Sequence, residues 1–333
     1  MRKLVGIVVL LGIALSGAWL GWAYVLERGF ATWLEARRAE GWVAEATRID
    51  TTGYPTRFET VATNLDLADP ATGLAWRLPQ IAFQAVAHDP TDIEVVVPPA
   101  FTVASPDQRI SVRSATIRAS TAVDPGPSLR LRRADITLAG IDLRSTAGWD
   151  AALTDGLLRT ERIADDETRQ RINFSATDVR PAQPIRARLD PAGILPETIA
   201  EVLVSADVGF DRPWDRRAVE DRRPQIRDID LSRVRAIWGD AELEATGQLT
   251  VDDSGVPTGE ITVRATNWRE IFAVIQNAGL VPETLAPALE GALEFLAGMS
   301  GNPNTIDAPL RLGNGLVSFG PIPMGPAPNL KIR

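Results

Sequence analysis

After Arg2 and Lys3 the chain runs without a charge from Leu4 to Leu26, "LVGIVVLLGIALSGAWLGWAYVL". A helix needs roughly 20 apolar residues to cross a bilayer, so residues 4–26 are expected to form a transmembrane anchor. The competing reading is a cleavable signal peptide, with Ser16 and Ala18 as the small residues before a cut and a shorter apolar core from Leu4 to Leu15. Continuation of the run to Leu26 favours the anchor. Arg2 and Lys3 place residues 1–3 in the cytoplasm, and Trp19, Trp22 and Tyr24 suit an aromatic belt at the far interface. The pattern then becomes amphipathic: in "ERGFATWLEARRAEGW", Phe30, Trp33 and Leu34 recur at helical spacing, Arg37 and Arg38 take polar positions, and Gly41 is a stop. This predicts a helical stalk over residues 27–42, packed on the sheet that follows it rather than lying on lipid.

From Val43 onward the dominant period is two. Ile81, Phe83, Ala85 and Ala87 share one face of "QIAFQAVA", and Ile93, Val95 and Val97 share one in "DIEVVVPP". Val202, Val204, Ala206, Val208 and Phe210 do the same further on, and these are half-buried strands. Turn chemistry punctuates them at Thr51, Ala68, Asp124 and Asp252, and such short connections favour antiparallel neighbours. Helical patterns come late: Asn267 with Glu270 reads as a capping box, Ile271, Phe272, Val274 and Ile275 form an apolar stripe, and Gly279 closes it. A second helix follows, with Pro282 in its first turn and Leu285, Leu289, Leu293 and Leu296 at three-to-four spacing. The fold class expected is mainly β with helices (α+β): an elongated, curved antiparallel sheet over residues 43–333 with a helical pair near its C-terminal half. "GLVSF" from Gly315 and the Gly/Pro series after it suit an edge strand that ends the sheet.

Three blocks repeat in one order. "IDL" at Ile141 and Ile229 precedes "INFSATD" at Ile172 and "ITVRATN" at Ile261, and these precede "GILPETIAEVL" at Gly193 and "GLVPETLAPAL" at Gly279. They predict duplicated strand-rich units over about 134–210 and 226–300, each ending in a helix start. "IAFQA" at Ile81 echoes "INFSA" more weakly. Similar units of this kind would add strands edge to edge.

Composition removes several kinds of chemistry. With 333 residues and 45% hydrophobic content the chain can bury a substantial core, and a formal net charge of -8 speaks against a nucleic-acid partner. The absence of cysteine removes disulfides, thiolate nucleophiles and sulfur-ligated metals. His88 is the only histidine, and no nucleophile elbow, phosphate loop or dinucleotide fingerprint accompanies it. The acid pairs Asp165–Asp166 and Asp252–Asp253 lie in polar loops and read as solvated carboxylates, although paired acids can hydrolyse glycosides. The arginines of "RPWDRRAVEDRRPQIRD" are interleaved with acids and read as a salt-bridged surface segment. No catalytic, cofactor or metal residue is assigned.

The anchor, "GW" at Gly41, "GYPTRF" at Gly53, "QIAFQA" at Gln80, "GQLTVDDSGVPTGEITVRATNWREI" at Gly247 and "GPIPMGPAP" at Gly320 together resemble the uncharacterised bacterial envelope proteins of domain-of-unknown-function family 2125. The G-x-L-x-V-x-x-x-G-x-P-x-G hairpin is also similar, more weakly, to hairpins of the AsmA-like envelope proteins, whose β-rich grooves are associated with phospholipid transport. The resemblance implies a single-pass protein of the bacterial inner membrane, with its main domain in the periplasm. A non-enzymatic role in lipid handling or envelope homeostasis is the first expectation, with phospholipid as partner and Leu243, Ala245, Leu249, Val251, Ile261 and Val263 lining a curved apolar face that shelters acyl chains. The second is an anchored assembly scaffold with a closed core and other envelope proteins as partners.

Overall fold

The computed structural model describes residues 2–164, 166–279, 281, 283–299, 301–319 and 322–332, with side chains from residue 10 onward apart from 219, 220, 299, 322 and 323. Asp165, Pro282 and Gly320, which the sequence singles out, lie outside the described residues. The chain divides into two units, Met1–Val123 with Thr137–Gly148, and Asp124–Ile136 with Trp149–Arg333. The 43–333 expectation treats this part as one domain.

The first unit begins with one uninterrupted helix, α1 (Arg2–Ala39). Anchor and stalk are therefore a single element, and the stalk ends at Ala39 rather than at residue 42. Termination follows the glycine: Gly41 has φ +90°, its N–H donates to the Arg38 carbonyl, and the Trp42 N–H donates to that of Arg37. That pair of bonds is the Schellman arrangement, which only a residue at ease in the left-handed region supports. The strands are β1 (Val43–Glu45), β2 (Arg48–Thr52), β3 (Arg57–Asp69), β4 (Leu74–Val86), β5 (Asp89–Val97), β6 (Ala100–Ala104), β7 (Arg109–Arg113), β8 (Thr116–Val123) and the end of β9 (Leu131–Ser145). All their pairings are antiparallel, with β3 taking β1, β2 and β4, and β4 taking β5 and β6. The helix follows β3. Ser16, Trp19, Ala23, Glu27, Phe30, Leu34 and Arg37, spaced three or four apart, are buried or half-buried, as is Ala31 beside Phe30. Leu34 packs with Ala44, Leu65 and Leu78, and Trp19 stacks on Phe58 with ring centroids 5.4 Å apart.

In the second unit β10 (Asp150–Arg162), β11 (Arg169–Val179), β12 (Ile199–Phe210), β13 (Ile226–Trp238), β14 (Ala241–Val251), β15 (Pro257–Thr266), β16 (Thr305–Gly313), β17 (Leu316–Phe319) and β18 (Ile322–Pro326) pair antiparallel in chain order. Helix α2 (Gln183–Leu189) follows β11, α3 (Arg216–Glu220) follows β12, and α4 (Trp268–Asn277) and α5 (Ala286–Met299) fall between β15 and β16. Registers put Leu158, Phe174, Val204, Val234, Ala245, Val263 and Ala308 in one row across seven strands, all on the same face. The pair α4 and α5 covers one part of that face, where Trp268, Phe272, Leu289 and Leu293 bury against Ala265, Ile306, Ala308 and Phe319. Each large side chain so buried contributes about 1.5–3 kcal/mol. The opposite face is laced with cross-strand ion pairs, Arg171–Asp207, Arg264–Asp307, Arg311–Glu260 and Arg235 between Glu201 and Glu242.

One expected detail is corrected. Asn267 does not cap α4 through its side chain: it sits in the left-handed region at φ +52°, and its amide donates to the Asp240 carbonyl. The matching repeat position, Asp178, has φ +49°. The same Ala-Thr-Asn/Asp signature occurs at Ala62-Thr63-Asn64, where Asn64 again has φ +49°. The alanine is buried each time, at Ala62, Ala176 and Ala265. The third matched block diverges: "GILPET" leads into strand β12, and "GLVPET" leads into helix α5.

Candidate functional site

An apolar cavity of about 520 Å3 lies in the first unit, between α1 and the sheet. That is within the range of about 300–1,000 Å3 usual for ligand pockets. Its wall on the helix side is Trp22, Val25, Leu26, Phe30 and Trp33. Its floor follows from strand alternation and register: Phe58 pairs with Ala85 and Ala85 with Ile93, while Thr60 pairs with Phe83. Two adjacent rows of side chains therefore point at the helix from β3, β4 and β5. Phe30 and Phe83 close the middle at 5.4 Å between centroids. Gly29 makes the space: a Cβ built there meets nothing within 4 Å, so the cavity reaches the helix backbone.

Fixed polar contacts hold the helix over this cavity. The Trp19 indole N–H donates to the Arg57 carbonyl at 3.0 Å, and Ser16 shares a 2.6 Å hydrogen bond with the Tyr54 hydroxyl. The Thr51 N–H donates to the Glu27 carboxylate at 2.7 Å, and the Arg38 guanidinium donates to the Ala44 carbonyl. Among the lining residues only Thr60, Gln84 and Thr91 carry polar side chains. The cavity can exclude water from an alkyl chain, and none of its lining residues is an acid, a histidine, a lysine or an arginine.

The six residues expected from sequence to face lipid lie in the second unit, and the register brings all of them to one face: Leu243, Ala245, Leu249 and Val251 alternate on β14, with Val263 opposite Ala245 and Ile261 opposite Gly247. Their surroundings differ. Leu249 and Val251 are buried, while Leu243, Ala245, Ile261 and Val263 are half-buried. Leu243 packs on the α4–α5 cluster and also lines a cavity of about 200 Å3 with Leu195, Val202, Trp238, Ile271 and Ile275. Val263 borders a smaller one of about 80 Å3 beneath Leu289 and Leu293.

The other residues that sequence raised as chemistry are occupied structurally. Asp166 accepts from the backbone N–H and hydroxyl of Thr168, and Asp252 accepts from Ser254 and the Val256 N–H, so both carboxyls are held below the usual aspartate range by hydrogen bonds led by those hydroxyls. Asp253 pairs with Arg227. In the arginine-rich segment Asp215 caps α3, and Asp211 takes Arg222 and the Gln225 N–H. His88 is exposed in the turn between β4 and β5. Among the described residues no three acids or histidines converge to hold a metal ion.

The α1 cavity is what sequence reasoning missed. The strands were legible, yet their pairing partners were not, and Trp19 and Ala23 stand inside a run that is apolar on every side. Residues 19–328 match the model of a family described as an uncharacterized protein conserved in bacteria, DUF2125. No curated protein and no solved structure matches the chain, so the weaker AsmA-like similarity has no counterpart among these findings.

Proposed function

The chain belongs to the DUF2125 family of bacterial proteins, and on that premise we propose that it is a non-enzymatic, membrane-anchored protein of the cell envelope that shelters a lipid acyl chain. In this reading α1 crosses the inner membrane once from a cytoplasmic N-terminus, and both units lie in the periplasm. The observation that carries the reading is the 520 Å3 apolar cavity built against the same helix that is apolar enough to cross a bilayer. A chain entering it leaves hydrocarbon on one side and meets Phe58, Phe83 and Ile93 on the other, and each methylene kept from water contributes about 0.8 kcal/mol.

The test is photo-crosslinking of the full chain in vesicles containing a phospholipid with a diazirine at mid-acyl depth. Adducts on Phe83, Thr91 or Ile93 are expected. Adducts confined to Leu11, Leu15 and Leu20 would leave the anchor in place and remove the lipid from the cavity.

The second reading, an anchored scaffold for other envelope proteins, draws on the second unit, where α4 and α5 cover part of the sheet and Ile185, Ile194 and Phe295 are exposed at 55%, 67% and 69%. It predicts no cavity adducts and a protein complex that survives mild detergent.

A further inference from the structure

Helix α1 is apolar all round as far as Leu26 and amphipathic beyond it, and the two halves are in different company. Leu10, Leu11, Ile13 and Leu15 are 57–68% exposed, as the free part of a spanning helix would be. From Ser16 to Leu26, however, one stripe of the helix is already committed to the sheet through Ser16, Trp19 and Ala23, with Trp22 and Val25 on the cavity wall beside it, while Leu20 and Tyr24 on the other sides are each 63% exposed. A soluble helix does not present that much unpartnered apolar surface opposite a packed stripe. The stretch therefore has two solvents at once, the sheet on one side and hydrocarbon on the others.

The first charges after Lys3 come at Glu27 and Arg28. With these at the water edge, Trp19 lies eight residues inward, about 12 Å along the helix at 1.5 Å per residue. The headgroup layer on each side of a bilayer is only about 5–7 Å deep. Ser16 lies eleven residues inward, about 16 Å, and the groups that Ser16 and Trp19 hold, Tyr54 and the Arg57 carbonyl, must sit at those depths, below the headgroups.

We propose that the end of the first unit carrying the β2–β3 turn (residues 53–56) and the start of β5 is inserted into the outer leaflet, past the headgroups and into the upper acyl chains. The occupant of this surface is the lipid bilayer itself. Tyr54, 54% exposed, goes to this depth with its hydroxyl already hydrogen-bonded to Ser16, so the ring carries no polar group without a partner among acyl chains. The insertion gives the α1 cavity a lateral mouth: Phe58 and Pro90 line it at this end, so an acyl chain passes from leaflet to cavity without crossing water. The inference rests on the reading that α1 spans a membrane.

The chain has no cysteine, which allows single-cysteine labelling of the whole protein at exposed positions. An environment-sensitive fluorophore is placed at Thr56→Cys, at Leu11→Cys in the free part of α1, and at Ala71→Cys in the β3–β4 turn. The last is the length of β3 away, about 40 Å at 3.3 Å per residue. In vesicles of phosphatidylethanolamine and phosphatidylglycerol with nitroxide placed high on the acyl chain, the expected result is blue-shifted, strongly quenched emission at residue 56 and unquenched emission at residue 71, with residue 11 quenched by nitroxide placed deeper. Quenching at residue 11 with none at residue 56 overturns the insertion and leaves the anchor standing. No quenching at residue 11 removes the anchor, and the insertion with it. Lipid adducts within the cavity are a separate readout from either.

Discussion

At the scale of single residues, glycine and asparagine carry the most specific expectations. Gly29 has no positive φ, and a side chain on it meets open space, so substitution there fills the cavity without backbone strain. Gly29→Trp should keep or raise the thermal stability of the first unit, because glycine within a helix is less favourable than most residues by several tenths of a kcal/mol. It should also lower lipid crosslinking to Phe83 and Ile93 by about tenfold, since excluding only two methylenes forfeits about 1.6 kcal/mol. Unchanged crosslinking would mean the photoreactive chain lies elsewhere. Asn267 makes the converse point. Its left-handed backbone suits asparagine or glycine, whereas a β-branched residue there is strained by about 1–2 kcal/mol. Urea midpoints should therefore fall further for Asn267→Val than for Asn267→Gly, which loses only the hydrogen bond to Asp240. The sequence reading took Asn267 as a helix cap with Glu270 because asparagine serves both roles, and a one-dimensional spacing cannot tell a side chain that accepts from the helix from one that donates to a distant carbonyl.

Among the elements, strands were readable and their coverings were not. Period-two alternation located β4, β5 and β12, the glycine and proline hairpin signature located β14 and β15, and the turns between them were where the chain turns. The stripe Ile271, Phe272 and Ile275 found α4, since that helix has one apolar face against polar surroundings. Helix α1 defeated the same method: within residues 4–26 a sheet-facing position such as Trp19 and an exposed one such as Leu20 are both apolar, so hydrophobicity carries no record of which neighbour each has. In the second unit the coverage decides what Val263 does. It lies opposite Ala245 and Ala308, half-buried beneath Leu289 and Leu293. Val263→Arg should destabilise this unit by about 2–4 kcal/mol, the cost of a charge without a partner among apolar side chains. Denaturant unfolding followed by tryptophan emission checks this. A folded, equally stable variant would show that this part of the face opens to water or lipid, as the sequence reading had it.

For the molecule as a whole, the long apolar N-terminal helix, the α+β class and the family were legible because each rests on patterns many residues long. The division after Val123, Ile136 and Gly148 was not, since β9 runs through the second of these boundaries without a turn or a change of composition. The charge distribution adds a consequence that belongs to one unit. Asp124 is held below the ordinary aspartate value of 3.8 chiefly by its hydrogen bonds from Arg162, Asp207 by those from Arg171, Asp166 by Thr168 and Asp252 by Ser254, and all four lie in the second unit. A carboxyl whose folded pKa is depressed contributes stability that is fully present above its unfolded pKa and is lost as pH falls through the folded value. The second unit should accordingly keep its stability from about pH 7 to pH 5 and lose it progressively below about pH 4. Hydrogen exchange should show the protection of β11, β12 and α4 falling together in acid. Asp207→Asn should lower stability at neutral pH, where the pair with Arg171 is intact, and make the acid loss shallower, because one of the groups that must be protonated has been removed. An acid profile identical to that of the parent chain would mean that the Arg171–Asp207 pair is too well solvated to contribute, as happens for many exposed ion pairs.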